Sequence, residues 1–263
     1  MQRIALTCRI RGITLRRGVV MASTPQGSAV FAYKIWQRGC AVLDWFPFIN
    51  SLRVALIATV VTFFTGILAA YYASRSPRLL RGALDVVLTL PLVLPPTVIG
   101  FFILKLLGPR GIIGSLFDVR LVMTWYSAIF ASVVVAFPLM YRTAHGAFAA
   151  FDTSLRHAGQ TLGLTNTYIF WRITLPNCRA GIIAGTILAF ARALGEYGAT
   201  SMVAGYTPNK TATISTTVYQ LWRTGDDAGA YRWVAVNIAI SCAVLLALNF
   251  FESSQSRRGK GVR

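Results

Sequence analysis

The sequence is poor in acidic residues, in histidine and in charged residues altogether. Only 8 of its 263 residues are Asp or Glu, only 2 are His, and 13% are charged. Soluble globular domains carry about 25% charged residues, so this composition falls outside their range. The two histidines, His145 and His157, are too few and too separated in the chain to predict a cluster of metal ligands.

Cysteines are also sparse, and the sequence patterns of common enzymes are missing. Cys8, Cys40, Cys178 and Cys242 form no Cys-x-x-Cys pair, which argues against a zinc site and a disulfide framework. No Gly-x-x-x-x-Gly-Lys-Ser/Thr loop is present to hold nucleotide phosphates. Neither a Ser/His/Asp nor a His-x-x-Glu-His arrangement is recognisable. We therefore predict a protein that is not an enzyme and needs no cofactor.

The residues that dominate the chain are apolar and basic. Hydrophobic residues make up 55% of it, which excludes an intrinsically disordered chain. Lys and Arg number 26, giving a formal net charge of +18. Such an excess can serve nucleic-acid binding, but beside long apolar runs it is expected on the cytoplasmic loops of a membrane protein. We predict an all-α polytopic membrane protein that contacts the lipid bilayer and no nucleic acid.

Five segments reach the length of about 20 apolar residues that a bilayer-spanning helix needs. They cover approximately residues 50–73, 83–107, 121–141, 179–204 and 231–251. We place them in a transmembrane domain of residues 46–252.

The distribution of basic residues predicts the orientation of these spans. The loop after the first span, the segment 142–179 and the tail 253–263 together hold eleven basic residues. The loops on the opposite side hold six. Because the cytoplasmic side of a membrane protein is the richer one in Lys and Arg, we expect these three regions, including the C-terminus, to be cytoplasmic.

The N-terminal segment 1–45 fits this scheme poorly, since it carries seven basic residues but five spans would place it outside. Three explanations stay open. Residues 28–46 form a sixth span or an interfacial helix, Met21 is the true start, or the odd number of spans overrides the charge bias. We therefore expect five or six transmembrane helices.

The segment 142–178 is too long for an ordinary connector. Its pattern predicts an amphipathic helix over residues 147–162, with Asp152 and Thr153 as candidate caps and Gly163 as the stop. A second amphipathic piece follows and is predicted to end at Pro176. Such helices lie on a membrane or dock into the groove of a partner, and a plain solvated connector is the alternative.

This segment resembles the cytoplasmic loop of ABC importer permease subunits. Gly163, nine intervening residues and Ile173-Thr174-Leu175-Pro176 match its signature. The signature begins Glu-x-Ala-Ala, whereas this chain has Arg156 in the acidic position and Gly159 in place of the second alanine. The resemblance implies a coupling loop that seats in a separate ATPase subunit, with altered coupling at the arginine. The residues it assigns to this role are Arg156, Ala158, Gly163, Ile173, Leu175 and Pro176.

Two further segments resemble molybdate permeases in particular. LPLVLPPTVIG at residues 90–100 is similar to their second span, and AFARALGEYGAT at residues 189–200 to their fourth. Sulfate permeases share a close variant of the latter, and tungstate is nearly identical to molybdate in charge and shape. The resemblance covers residues 50–251. It implies type I ABC importer architecture and a homodimer in the bacterial inner membrane, with an ABC ATPase subunit and a periplasmic molybdate-binding protein. The competing class is a stand-alone secondary anion transporter.

Two groups of residues in the apolar segments are candidates for the transport pathway. Pro91, Pro95 and Pro96 interrupt the second span, which indicates either a pathway-lining break or a simple kink. Arg192 and Glu196 are costly charges four residues apart, close enough to pair along a helix. They either bias a pathway towards anions or form a structural ion pair.

Small residues in the fourth span suggest close helix packing. Gly181 with Gly185, and Gly195 with Ala199, have the small-xxx-small spacing that lets helices approach each other. We expect both pairs to pack against neighbouring helices.

Overall fold

The computed structural model describes residues 9–10, 13–14, 44–109, 111 and 121–260, with backbone alone for the two short strands and for 251–260. The chain divides into two units, Met1–Asp44 and Trp45–Arg263. In the first unit, β1 (Arg9–Ile10) pairs with β2 (Ile13–Thr14) in an antiparallel ladder. Residues 28–43 of the extra helix expected from the sequence lie outside the described residues.

Among the described residues of the second unit, the regular secondary structure is helical. Its helices are α1 (Phe46–Arg75), α2 (Arg78–Val93), α3 (Pro96–Leu107), α4 (Trp125–Ala149), α5 (Thr153–Thr161), α6 (Asn166–Ile169), α7 (Leu175–Asn177), α8 (Arg179–Leu194), α9 (Gly198–Val203), α10 (Ile214–Arg223) and α11 (Asp227–Lys260). A π-helical stretch, Phe170–Thr174, joins α6 to α7. The all-α fold class expected from the sequence is confirmed.

Among the described residues, three continuous helices are long and apolar enough to cross a membrane, namely α1, α4 and the part of α11 up to Phe250. Two bent pairs bring the number to five if each pair is one span. In α1, the Arg53 guanidinium lies over the Trp125 ring and the Arg75 guanidinium over the Tyr71 ring, each 4.0 Å from the ring centroid. At 1.5 Å per residue these arginines are about 33 Å apart, close to the bilayer's hydrocarbon thickness.

The core is formed where α1, α4 and α8 pack together, and it is rich in alanine. Gly181 and Gly185 explain how closely α8 approaches α4. A Cβ added at Gly181 would lie 2.7 Å from the Ala147 Cβ, and one at Gly185 would lie 2.0 Å from the Thr143 Oγ1. The close packing predicted for this glycine pair is therefore confirmed, and it occurs within one chain.

The second apolar segment is not one straight helix, because the chain turns by 107° between α2 and α3. Leu94 and Pro95 are both extended, with ψ of 140° and 136°. Each of them precedes a proline, and the following ring disfavours helical backbone at the residue before it. The paired prolines thus break the segment at residues 94–95, whereas Pro91 lies inside α2.

The fourth apolar segment also differs from the continuous helix expected over residues 179–204. Helix α8 ends at Leu194, and α9 begins only at Gly198. Gly195 and Ala199 therefore do not form a pair along one helix, and that part of the expectation was wrong, although Ala199 does pack closely against Gly100 of α3. The reason is local, since the Glu196 side chain accepts a hydrogen bond from the Ala199 N–H and so starts a new helix.

The segment between α4 and α8 (residues 150–178, the inter-span loop) has the predicted helix–break–helix order. Helix α4 continues to Ala149, and the loop helix begins at Thr153 after the N-cap Asp152, whose carboxylate accepts from the Ser154 N–H at 2.8 Å. Gly163 has φ of +73° and ends the helical backbone. The second piece does not end at Pro176, because that proline occupies the first turn of α7, where its missing N–H is tolerated.

Candidate functional site

The breaks in the second and fourth apolar segments lie in direct contact. A Cβ added at Gly198, the first residue of α9, would lie 2.8 Å from the Pro96 Cβ. One added at Gly100 would lie 3.0 Å from the Ala199 Cα. The start of α3 therefore packs on the start of α9 with no room for a side chain between them. Two helix interruptions far apart in sequence form one irregular region inside the helical unit.

Glu196 is the polar centre of this region. The residue is 3% exposed, and its Oε1 accepts from the Ala199 N–H at 2.7 Å. Its Oε2 accepts from Nη1 of Arg192 at 2.6 Å, the one ion pair among the residues that the structure describes. A single carboxylate thus joins the end of α8 to the beginning of α9. Pairing with arginine offsets part of the cost of holding this charge away from water.

Arg192 is more accessible than its partner, because its side chain is 29% exposed and that of Glu196 is 1% exposed. A guanidinium has five N–H donors in a planar fork. Within the described residues, the structure gives one hydrogen bond of Arg192, to Glu196. The remaining donors suit an anion that reaches the break.

The three prolines have different positions around the break. Pro96 is the first residue of α3 and touches the α9 side, whereas Pro95 is exposed beside it. Pro91 is half-buried within α2 and supplies no N–H to the helix there. Backbone groups released by such interruptions must face protein or a water-filled cavity when the segment lies in a bilayer.

A polar contact that the sequence analysis did not single out holds α2 to its neighbours. The Tyr141 hydroxyl of α4 donates a hydrogen bond to Asp85 of α2. Arg81 donates from Nε to the Ala73 carbonyl, at 3.3 Å, and from Nη2 to the Ser74 carbonyl, both near the end of α1. Helix α2 has no fully buried residue, so these bonds add to the partly buried Leu84 and Leu88, which pack against the core. The sequence feature that could have pointed to this contact was Asp85, an acidic residue inside an apolar segment.

The inter-span loop is anchored to the bundle by aromatic packing. Phe170 is buried, and its ring centroid lies 4.4 Å from that of Tyr71 and 6.3 Å from that of Phe148. Helix α5 is held against this anchor, since a Cβ at Gly159 would lie 3.1 Å from Cγ1 of Ile169. Glycine in place of the signature's alanine therefore matches the close approach of α5 to α6.

The remaining loop positions expected to couple to an ATPase differ in exposure. Ala158, Gly163 and Pro176 are exposed, whereas Ile173 and Leu175 are half-buried. Arg156 is half-buried as well, and its Nε is buried without a hydrogen-bond partner among the described residues. These residues do not form one contiguous cluster with the break at Glu196.

A cavity of about 430 Å³ lies at the loop, between the end of α4, the start of α5 and the start of α8. Asp152, Leu155 and Cys178 are among its lining residues. None of the residues around the break line it. It is therefore a space next to the loop helix, separate from the candidate pathway.

Comparison with known proteins agrees with this architecture. Residues 62–257 match the family model described as "Binding-protein-dependent transport system inner membrane component". The chain is 38% identical to the molybdenum transport system permease protein ModB of Escherichia coli K12 over 223 residues, 82% of this chain and 97% of that protein. It is 29% identical to a probable sulfate transport system permease protein, cysT, of Chlorokybus atmophyticus over 237 residues, 89% of this chain and 83% of that protein.

Solved structures show the same fold. A crystal structure of a bacterial ABC transporter that imports the acidic polysaccharide alginate matches with a TM-score of 0.65 and 19% identity, covering 89% of this chain and 85% of that one. At this identity the likeness concerns the fold, which is that of type I ABC importer permeases. The matched family model spans most of the chain. The chain therefore belongs to the binding-protein-dependent transport system inner membrane components, the multi-pass permease subunits of ABC importers.

Proposed function

We propose that the chain is the permease subunit of an ATP-driven importer of molybdate. The observation that carries this proposal is the contact between Pro96 and Gly198. It joins residues 90–100 to residues 189–200, the two segments in which the sequence resembles molybdate permeases. The higher identity to a molybdenum permease, 38% against 29% for a sulfate permease, also supports molybdate as the substrate.

In this proposal the break is part of the translocation pathway. Arg192 attracts the oxyanion, and Glu196 keeps that attraction weak enough for the anion to leave again, since conduction requires both entry and release. The interruption at Pro91, Pro95 and Pro96 lets the chain line a polar route, as broken helices do in transporters. The carboxylate that holds α8 to α9 gives the region a polar hinge.

The energy source in the proposal is a separate ABC ATPase subunit that binds the inter-span loop. Two copies of this chain form the pathway, and a periplasmic binding protein delivers molybdate to it. The complex lies in the bacterial inner membrane with the loop and the C-terminus in the cytoplasm, as the distribution of basic residues predicts. Rocking of the paired subunits alternates access to the two sides.

Two alternatives compete with import of molybdate. A tungstate or sulfate importer would have the same architecture and differ only in the anion that is delivered. A stand-alone secondary transporter would need no ATPase subunit, and the anchored loop helix with its exposed surface disfavours that class.

The test is the ATPase activity of the complex reconstituted in lipid vesicles, with the binding protein loaded by molybdate, tungstate or sulfate in turn. Stimulation by molybdate and tungstate and none by sulfate is expected. Equal stimulation by sulfate would contradict the substrate assignment. Failure of the purified permease to retain an ATPase subunit would contradict the importer itself. Arg192→Gln should strongly lower the stimulation of ATPase activity by molybdate. Arg223→Gln, which changes an exposed arginine on α10, is the control.

A further inference from the structure

Arg156 lies in the middle of α5 with a hydrogen-bonding atom left unused. Its Nε is buried and has no partner among the described residues. No described acidic side chain forms an ion pair with it. Buried polar atoms in native proteins are hydrogen-bonded with few exceptions, so the guanidinium of Arg156 is incompletely paired within the described part of the chain.

The charges around Arg156 make the missing partner acidic. The inter-span loop contains one acidic residue, Asp152, whose carboxylate already accepts from the Ser154 N–H at the start of α5. Its basic residues are Arg156 and Arg172, with His157 beside them. The loop therefore offers positive charge with almost no internal compensation, and a complementary surface carries a carboxylate.

The apolar part of the loop surface favours a protein as the partner. Leu162 is 78% exposed, Trp171 57% and Tyr168 49%. Arginine together with aromatic side chains is enriched in the cores of protein–protein interfaces, where lysine is depleted. Surfaces that bind anionic lipids instead carry clusters of about four to eight Lys or Arg. The loop has two arginines and no lysine, so the composition fits a protein groove.

We propose that the ATPase subunit presents an aspartate or glutamate that pairs with Arg156 when α5 docks. The charges of this contact are reversed compared with a loop that has the acidic residue of the signature at this position. This inference rests on the proposed function, because it concerns how the ATPase subunit binds. An arginine and a carboxylate form two parallel hydrogen bonds in their best geometry, and because Nε is buried, the terminal Nη1 and Nη2 are the donors that a docking carboxylate can reach.

The test compares permease variants in lipid nanodiscs for their affinity for the ATPase subunit. Arg156→Glu should weaken binding at least tenfold, and Arg156→Gln should weaken it less. Arg172→Glu is the matched control, an exposed arginine of the same loop, and it should change affinity by less than threefold. Thermal unfolding of each variant checks that the permease itself remains folded.

A reciprocal series identifies the partner residue. Each Asp or Glu lining the groove of the ATPase subunit is changed to Arg and tested against Arg156→Glu. One of these changes should restore binding to within threefold of the wild-type pair. Unchanged or tighter binding of Arg156→Glu, or no restoring reversal, would overturn the inference while leaving the importer assignment intact.

Two other outcomes have separate meanings. If the wild-type permease binds no ATPase subunit, the proposed function fails along with the inference. If Arg156→Glu reduces adhesion of the loop to vesicles containing phosphatidylglycerol but leaves ATPase affinity unchanged, Arg156 serves the membrane surface and the inference is wrong. Added salt should weaken the wild-type complex more than the Arg156→Gln complex, because only the former contains the ion pair.

Discussion

Pro96 and Gly198 are in contact although about a hundred residues separate them in sequence. Each stands at the beginning of a short helix that follows a break in an apolar segment. The absence of a side chain at Gly198 is what allows the proline ring to approach. The two breaks therefore depend on each other, and a change at one is expected to disturb the other.

Gly198→Ala tests this dependence. The added Cβ would lie 2.8 Å from the Pro96 Cβ, and a proline ring has no flexible end that can move aside. Overpacking of this kind costs about 1–3 kcal/mol of stability. Thermal unfolding in detergent should show the loss, with lower molybdate transport. Gly82→Ala is the control, because nothing lies within 4 Å of its added Cβ. Equal stability of the two variants would contradict the contact.

Glu196 should tolerate glutamine better than alanine. Glutamine keeps an oxygen for the Ala199 N–H but offers an amide where Arg192 needs an acceptor, whereas alanine removes both bonds. We expect Glu196→Gln to cost about 1–3 kcal/mol, since a hydrogen bond to a charged group is lost. Glu196→Ala should cost more. The measurement is the free energy of unfolding, and the opposite order would argue against the double role of this carboxylate.

The same substitution should change transport in a particular way. With Glu196→Gln the Arg192 guanidinium is no longer neutralised, so it should hold an anion more tightly. We expect molybdate uptake to reach half-saturation at a lower concentration and to have a lower maximal rate. An unchanged half-saturation concentration together with lower stability would show that the ion pair is structural only.

Gly185→Ala should destabilise the packing of α8 on α4. Its Cβ would lie 2.0 Å from Oγ1 and 3.0 Å from Cβ of Thr143. Because the hydroxyl is the worse clash, Thr143→Ala in the same chain should restore part of the loss, which a double-mutant cycle of thermal unfolding measures. Gly146→Ala, with open space around its added Cβ, should be close to neutral. Strictly additive effects of the two changes would exclude a direct contact.

Asp152 should make the start of α5 insensitive to pH in the neutral range. The hydroxyl and the backbone N–H of Ser154 lower the pKa of this carboxyl below its ordinary 3.8. A lowered pKa in the folded state means that the cap stabilises α5 above the ordinary pKa and is lost as the pH falls through the lowered one. Amide protection factors of α5 should therefore stay constant from about pH 5 to 8.

Substitutions at the cap provide the control for that measurement. Asp152→Asn keeps an acceptor oxygen and should preserve α5 at neutral pH, whereas Asp152→Ala should lower its protection. A marked loss of protection between pH 5 and 8 in the wild-type chain would mean that another group holds the start of the helix.

The membrane-spanning elements could be predicted from sequence because they depend on runs of apolar residues. The helices α1 and α11 enclose the segments expected around 50–73 and 231–251, and α4 begins and ends a few residues later than the segment expected around 121–141. The caps of the loop helix were also predictable, since Asp152 and Gly163 act through their own backbone neighbours. Such features need no information about the rest of the chain.

The break in the fourth apolar segment was harder to predict than the proline break, because it combines a local hydrogen bond with a tertiary contact. Apolar composition continues through residues 179–204 and favours one continuous helix. The chain turns because Glu196 caps a new helix whose first residue packs on Pro96. The bond between Tyr141 and Asp85 is likewise a contact between distant segments, and only the fold brings the two together.

The central claim is tested most directly by uptake of radiolabelled molybdate into vesicles that contain the permease and its ATPase subunit, with the loaded binding protein outside and ATP inside. We predict that molybdate uptake requires both ATP and the binding protein. Tungstate should inhibit it by competition, and sulfate should leave it unchanged. Uptake that proceeds without ATP, or sulfate transport at the same rate, would contradict the account.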